Sequence, residues 1–127
     1  MTELDSSRNA WFYDKSFGKF IGSVGKGEKE IHRIILNYAV HSDKSHRILA
    51  PFTLAEGWHD DAQTLRLLHD RAVNDESNYV RIAALGILVT RFRDDAQTLS
   101  LLRDCAVNDE DEDVRSRAVG VISELYP

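Results

Sequence analysis

The sequence predicts an all-α protein built from stacked helical hairpins, and two observations carry this prediction. First, residues 60–93 and 94–127 repeat one another at an interval of 34 positions, so that Asp60-Asp61-Ala62-Gln63-Thr64-Leu65 returns as Asp94-Asp95-Ala96-Gln97-Thr98-Leu99. Second, the apolar residues inside each copy recur at the spacings of three and four that mark one face of a helix. A period of roughly 20 to 50 residues is typical of architectures in which each unit buries its apolar face only against its neighbours.

The first helix of each copy begins at a recognisable capping pattern. Asp60 is predicted to be an N-cap, because its carboxylate can accept from the unpaired amides of the first turn. Gln63, three residues later, supplies the reciprocal half of a capping box. Asp94 and Gln97 repeat the arrangement in the next copy.

The second helix of each copy is predicted to carry the core. Asn74 and Asn108 are expected to close the first helices, since asparagine tolerates the left-handed conformation that ends many helices. Ser77 and Asp111 are then placed to cap the second helices. The predicted core face of the second helix comprises Val80, Ala84, Ile87, Leu88 and Arg91, matched one copy later by Val114, Ala118, Val121, Ile122 and Leu125.

The chain before residue 60 is less regular. Residues 28–59 form a degenerate copy of the repeat, in which Pro51 falls inside the second helix and is expected to cause a kink or a late start. Residues 1–27 are predicted to be a capping or docking segment followed by a linker. We expect a helix that packs over the open N-terminal end of the stack, because end units otherwise expose apolar faces; docking of a partner or dimerisation is the alternative. The aromatic residues of this segment are Trp11, Phe12, Tyr13, Phe17 and Phe20.

An aspartate in the turn, followed six residues later by an arginine, occurs in both regular copies as Asp75 with Arg81 and Asp109 with Arg115. This pattern resembles the HEAT-like repeat family over about residues 28–127. The resemblance implies a short right-handed α-solenoid of about three HEAT-like helical hairpins, and the aromatic-rich N-terminal segment is expected to add a capping helix to it. It also implies that these four residues form an aspartate–arginine ladder of hydrogen bonds between successive repeats.

The degenerate copy departs from that pattern. Asp43 is followed six positions later by Leu49, so the resemblance does not carry the ladder into this copy. The sequence of residues 57–65 and 74–81 is most similar to the repeat arrays attached to bacterial, notably cyanobacterial, NACHT-type NTPases. Those proteins resemble innate-immune sensors. Similar repeats occur in phycobilisome lyase subunits, which handle bilin chromophores, and no motif in this chain demands a bilin.

Composition and charge exclude several classes of partner. The formal net charge is −5, and residues 59–127 hold 14 of the 21 acidic side chains but 8 of the 16 basic ones, so nucleic acid is not expected to bind. The sequence has no stretch of roughly 18 apolar residues, and its N-terminus lacks the basic-then-apolar order of a signal peptide. These features predict no membrane association and a cytoplasmic location. The single cysteine, Cys105, agrees with a reducing compartment. Because Cys105 takes the repeat position of Arg71, we expect it at or near the surface.

No residue pattern predicts catalysis, a cofactor or a metal site. The run Gly22-Ser23-Val24-Gly25-Lys26-Gly27 has two residues between its first glycines where a phosphate loop has four, and a glycine follows its lysine where the loop has a hydroxyl. The histidines lack the four-residue spacing that pairs two imidazoles on one helix face. The carboxylate pairs at Asp60 and Asp94 are explained by the helix dipole. We therefore predict that the chain is not an enzyme and carries no cofactor.

The predicted function is protein binding. In HEAT-like arrays the second helices line the concave side, and helical geometry selects the residues that point away from the predicted core. This candidate concave face comprises Ile48, Phe52, Tyr79, Ile82, Val89 and Arg93. We expect it to grip an apolar helix or loop of a protein partner, unless the N-terminal segment or a second copy covers it. Homodimerisation through the last helix is also expected, because no polar capping unit follows it.

Overall fold

The computed structural model describes residues 28–127, and within this range it contains six helices and no strand. The predicted N-terminal capping helix lies outside the described residues. The helices are α1 (Glu28–Tyr38), α2 (Lys44–Gly57), α3 (Ala62–Asn74), α4 (Asn78–Arg91), α5 (Ala96–Asn108) and α6 (Glu112–Leu125).

Consecutive helices pack as three hairpins, α1 with α2, α3 with α4, and α5 with α6. Between hairpins the most extensive contacts join the second helices, α2 to α4 and α4 to α6. The result is an all-α repeat solenoid in which each hairpin is covered by its neighbours. The handedness of the stack stays a prediction.

The N-caps of α3 and α5 are Asp61 and Asp95, one residue later than the predicted Asp60 and Asp94. The amide of Gln63 donates to Asp61 Oδ1 at 2.8 Å, and the amide of Gln97 donates to Asp95 Oδ1 at 2.9 Å. A turn precedes each of these helices, because the amides of Asp61 and Asp95 donate to the carbonyls of residues 58 and 92. These turns delay the start of the helix by one residue. The two glutamines therefore occupy the second helical position, and the predicted capping boxes are wrong.

The turns inside the hairpins also differ from the prediction. The first helices do end at Asn74 and Asn108, but the residue that follows each is an aspartate in extended conformation, with φ −64° and ψ 140°. Left-handed closure by asparagine is therefore wrong. Asp111 caps α6, accepting from the amides of residues 113 and 114, whereas Ser77 occupies the N-cap position of α4 without a side-chain hydrogen bond.

The degenerate copy is more regular than its sequence indicates. Helix α2 begins at Lys44 and runs through the buried Pro51 to Gly57, so the late start does not occur. Its N-cap is Asp43, which accepts from the amide of Ser45 at 2.8 Å. A favourable cap at the start of the helix supports the first turn while proline removes one hydrogen bond further along.

The core lies between the hairpins and draws on both helices of each. Val80, Ala84 and Leu88 are almost fully buried on α4, but Arg91, placed on the same face by the periodicity, is exposed and pairs with Glu56 of α2. Cys105 is buried, which corrects its expected surface position. Its short side chain stays inside the core where the longer Arg71 reaches out to the turn, and burial raises the pKa of the Cys105 thiol to about 11.

Candidate functional site

An arginine near the start of α4 joins two successive turns. Arg81 donates through Nε to Asp109 Oδ2 at 2.9 Å and through Nη2 to Asp109 Oδ1 at 3.0 Å. Its remaining Nη1 donates to the backbone carbonyl of Asp75 at 2.8 Å. One guanidinium group therefore binds the turn of its own hairpin and, in bidentate geometry, the turn of the next.

The same arrangement exists one repeat earlier, where the spacing from Asp43 did not indicate it. Arg47 donates to Asp75 Oδ2 at 2.8 Å and to Oδ1 at 3.2 Å, while its Nη1 donates to the carbonyl of His41 at 2.9 Å. The sequence does contain a signal for this arginine. The 34-residue interval counted back from Arg81 leads to Arg47 and not to Leu49. The ladder therefore has a first rung in the degenerate copy.

Asp75 is the most heavily engaged residue of the ladder. Its fully buried carboxylate also accepts from Arg71 Nη1 at 3.0 Å and from the amide of Ser77 at 2.9 Å. Burial opposes the charged form of Asp75, but the hydrogen bonds from Arg47 and Ser77 outweigh it and hold the pKa of this carboxyl below its ordinary value. Asp75 is therefore a charged centre shared by two hairpins.

Arg115 occupies the third arginine position. It donates through Nη1 to the carbonyl of Asp109 at 2.7 Å, as Arg81 does to Asp75. Among residues 28–127, no carboxylate pairs with its Nε and Nη2 atoms, and the side chain is half-buried.

A second set of contacts between hairpins joins the ends of the second helices. His59 stacks on Phe92, with ring centroids 4.3 Å apart and planes 2° apart, and lies with Nε2 2.8 Å from the carbonyl of Arg91. One repeat later, Arg93 donates to the carbonyl of Leu125 at 2.6 Å and lies over the ring of Tyr126. A basic or protonatable group at the C-terminal end of a helix is stabilised by the helix dipole.

Stability is expected to depend on the protonation of His59. The hydrogen bond to the Arg91 carbonyl, followed by that to Asp60, raises the pKa of His59 above its ordinary 6.5. Protonated His59 therefore stabilises the fold below about pH 6.5, and this contribution is lost as the pH rises through the higher pKa of the folded state. Melting temperatures between about pH 6 and pH 8 should fall more in the wild type than in His59→Gln. Equal slopes in the two proteins would contradict a role for His59.

The residues of the candidate concave face separate into three groups. Ile48, Phe52 and Ile82 are half-buried and lie on α2 and α4. Tyr79 is 62% exposed, with Lys44 Nζ 4.9 Å from its ring centroid. Arg93 is exposed and engaged at the end of α6, as described above.

Val89 does not belong to this face. Only 8% of its surface is exposed, and it forms part of the core cluster to which all three hairpins contribute. The error arises because the candidate face was assigned by rotating around a single helix. Helix α4 contacts α2 on one side and α6 on the other, so residues well away from its main core face are also covered.

Two apolar grooves run between the second helices. The first groove lies between α2 and α4, and the second groove lies between α4 and α6 with a volume of ≈ 650 Å³. Gly86 lies in both grooves, and Arg117 and Glu124 bring charge to the second. The apolar lining of the first comprises Ile48, Leu49, Phe52, Ala83 and Ile87, and that of the second comprises Ile82, Leu85, Leu102, Ala118 and Val121.

Glycine shapes the floor of these grooves. Gly86 and Gly120 stand 34 residues apart at equivalent positions of α4 and α6, and Phe52 holds that position in α2. A Cβ atom built on either glycine meets nothing within 4 Å, so packing among the described residues does not require a glycine there. Glycine in a helix interior costs about 0.5–1 kcal/mol relative to alanine. These glycines leave space on the accessible side of the helices.

Features of other site classes are not seen in the described part of the chain. Between residues 28 and 127, no three histidine, cysteine or acidic side chains gather as metal ligands would. The helices in that range are all too short or too polar to cross a membrane. The thiol of Cys105 is buried and its pKa is raised, which disfavours the reactive thiolate.

The hairpins, the ladder and the grooves define an α-helical repeat protein of the solenoid class. A family model for HEAT repeats matches residues 33–123, which is most of the chain. The chain belongs to the HEAT-repeat family. No curated protein and no solved structure matches it.

Proposed function

We propose that this chain is a non-catalytic interaction module that binds a protein through the two grooves between its second helices. The observation that carries the proposal is the pair of apolar grooves that meet at Gly86. Contiguous apolar surface that stays open to solvent commonly marks a binding site. Membership of the HEAT-repeat family supports the proposal, because these repeats commonly serve as scaffolds for protein interaction.

The proposed occupant is an apolar helix or loop of the partner. Grooves between parallel ridges of helices accept an amphipathic helix through a few apolar anchors. Phe52 forms a bulky apolar element of the first groove, while Gly86 and Gly120 leave space for close approach along α4 and α6. Arg117 and Glu124 provide polar groups of both signs in the second groove for orienting the bound segment.

Gly86→Glu is expected to abolish partner binding while the protein stays folded. The new side chain enters space that is shared by both grooves and that no described atom fills within 4 Å of its Cβ. A buried carboxylate facing an apolar ligand costs several kcal/mol. The measurement is quantitative affinity capture from cells of the source organism, with circular dichroism to establish folding.

The matched control is Ser100→Glu, which adds the same charge at an exposed position of α5, the first helix of the third hairpin. Proteins retained by the wild type should also be retained by this control and should be lost with Gly86→Glu. If folded Gly86→Glu retains the same proteins at the same level, the groove surface is not the binding site.

We also propose a biological setting in a bacterial sensor array of the kind attached to NACHT-type NTPases. The similarity of residues 57–65 and 74–81 to such arrays supports this setting. A cytoplasmic location is part of the proposal and is supported by the composition and the single cysteine. Sequencing of the native reading frame and its neighbours tests it, since an NTPase domain is expected there and its absence would contradict the proposal.

A second candidate function is the handling of a small ligand, as in the phycobilisome lyase subunits that the repeats also resemble. The second groove favours this candidate, because ≈ 650 Å³ falls within the volume range of small-molecule sites, roughly 300–1,000 Å³. A visible absorption band that copurifies with the protein would support ligand handling. A colourless protein that shows no bound small molecule by mass spectrometry would favour the interaction module.

A further inference from the structure

In the turn of the second hairpin, one carboxylate binds two guanidinium groups. Asp75 Oδ2 accepts from Arg47 Nε at 2.8 Å and from Arg71 Nη1 at 3.0 Å. Arg71 also donates through Nη2 to Asp70 Oδ2 at 2.8 Å, while the side-chain amide of Asn74 donates to Asp70 Oδ1 at 2.8 Å. Arg71 therefore joins the carboxylate in the turn to a second carboxylate on α3.

The turn of the third hairpin repeats these acceptors without the arginine. Asp104 and Asp109 stand 34 residues after the two carboxylates that bind Arg71. The side-chain amide of Asn108 donates to Asp104 Oδ1 at 2.8 Å, as its counterpart does one repeat earlier. Cys105 holds the position of Arg71 and brings no guanidinium group. The two carboxylates return in this turn, but the cation that bound them does not.

The short side chain of Cys105 leaves space beside these carboxylates. A cavity of ≈ 400 Å³ lies between the turns of the second and third hairpins, and Asp104, Cys105 and Asp109 line it. Glu110 adds a further carboxylate to the lining. Burial and the charges of Asp109 and Asp104 raise the pKa of the Cys105 thiol to about 11, so the thiol is neutral at pH 7. The cavity therefore combines room for a side chain with negative charge that lacks the cation of the preceding repeat.

We propose that this cavity binds the guanidinium group of an arginine side chain from a protein partner. The guanidinium donates to Asp104 Oδ2 and Asp109 Oδ2, the atoms equivalent to those that accept from Arg71 one repeat earlier. Arg81 already binds Asp109, and a second guanidinium is compatible with it because two arginines share the equivalent carboxylate in the preceding turn. Arginine is the chemical match, since its planar group presents several donors in a fixed fork and an ammonium does not.

This arginine site is separate from the two grooves. Its described lining comes from the turns of the second and third hairpins and the adjoining helix ends, and it shares no residue with the lining of either groove. Gly86→Glu should therefore leave the affinity of the arginine site unchanged. The charge of the cavity selects the partner, because an apolar or acidic segment has no group that satisfies the two carboxylates.

The test titrates the full chain with N-acetyl-arginine amide and follows backbone amide shifts by NMR. Saturable shifts are expected at residues 104–110. The citrulline analogue has nearly the shape of arginine without its charge, and it should bind at least about 10-fold more weakly. Free arginine should also bind more weakly, because its α-carboxylate meets the acidic lining. Equal binding of the citrulline analogue would overturn the proposal. Tighter binding of free arginine would assign the cavity to a free amino acid and would also overturn it.

Substitutions separate this site from a general attraction of cations to an acidic surface. Asp104→Asn should weaken the binding of N-acetyl-arginine amide by about 10-fold. Asp70→Asn, at the equivalent place where Arg71 is already bound, is the matched control and should leave the affinity unchanged. Equal effects of these two substitutions would contradict the proposal.

Filling the cavity from within the chain gives a second test. Cys105→Arg should abolish binding, because the new guanidinium reaches the same two carboxylates, whereas Cys105→Ala keeps the cavity and should keep the affinity. Circular dichroism establishes that each variant is folded. Undiminished binding in folded Cys105→Arg would overturn the proposal. Asp104 is exposed, so Asp104→Asn decides the question even where Cys105→Arg does not fold.

Discussion

Replacing Asp75 with alanine is expected to lower the free energy of unfolding by about 3–5 kcal/mol. The substitution removes a carboxylate that is fully buried and accepts from Arg47, Arg71 and the amide of Ser77. Two arginines with little exposed side-chain surface would then lose their shared counter-charge. Asp70 and Glu76 are exposed carboxylates that compensate the two guanidinium groups only in part. The loss therefore exceeds the value of the hydrogen bonds themselves. Urea denaturation followed by circular dichroism measures the effect.

The neighbouring residue provides the control. Glu76 is 88% exposed, and its substitution by alanine should change stability by no more than about 0.5 kcal/mol. The loss of stability caused by Asp109→Ala should lie between those caused by Asp75→Ala and Glu76→Ala. In that junction Cys105 stands where the earlier junction has its second arginine, Arg71. A loss below about 1 kcal/mol for Asp75→Ala would mean that the ladder contributes no more than surface ion pairs do.

The charge of Asp75 also predicts a dependence on acid. Since the pKa of the folded Asp75 carboxyl is depressed, its contribution is present above the unfolded pKa of about 3.9 and is lost as the pH falls through the folded value. Asp75→Ala removes this contribution, so the stability gap between wild type and variant should narrow in acid. A constant gap down to about pH 2 would contradict the assignment.

Leu88→Ala is expected to destabilise the protein by about 2–5 kcal/mol, the usual range for truncating a fully buried leucine. Leu88 has no exposed surface and lies in the core cluster to which all three hairpins contribute. Its replacement therefore opens a cavity that the rigid helices on either side cannot close. Equilibrium unfolding in urea provides the measurement, and the slope of the transition should change little.

The matched variant is Ile122→Ala, at the equivalent position of α6. Ile122 is only partly buried, because no described hairpin follows it. Its truncation should therefore cost clearly less than that of Leu88. Equal losses would show that stability does not follow the stacking of neighbours, which is the physical basis of a repeat architecture.

The sequence by itself determined the class of fold and the existence of the regular hairpins. The interval of 34 residues and the helical spacing of apolar residues are local features, and they predicted α3 to α6 closely. The turn positions of Asp75 and Asp109, and those of Arg81 and Arg115 near the start of the second helices, were also readable from the chain. In both copies the turn aspartate and the arginine recur at a fixed separation. Local backbone geometry specifies such features without reference to distant residues.

The tertiary structure alone decided which side chains meet. Arg47 joins the ladder because α2 packs beside α4, a relation that the six-residue spacing from Asp43 could not reveal. Val89 of α4 and Cys105 of α5 are covered by residues of adjacent helices. The apolar pattern of each helix taken alone did not predict their burial. A one-residue shift of the caps from Asp60 and Asp94 to Asp61 and Asp95 follows from the turns between hairpins. Burial and charge pairing across hairpins depend on how helices stack, whereas periodicity describes each helix alone.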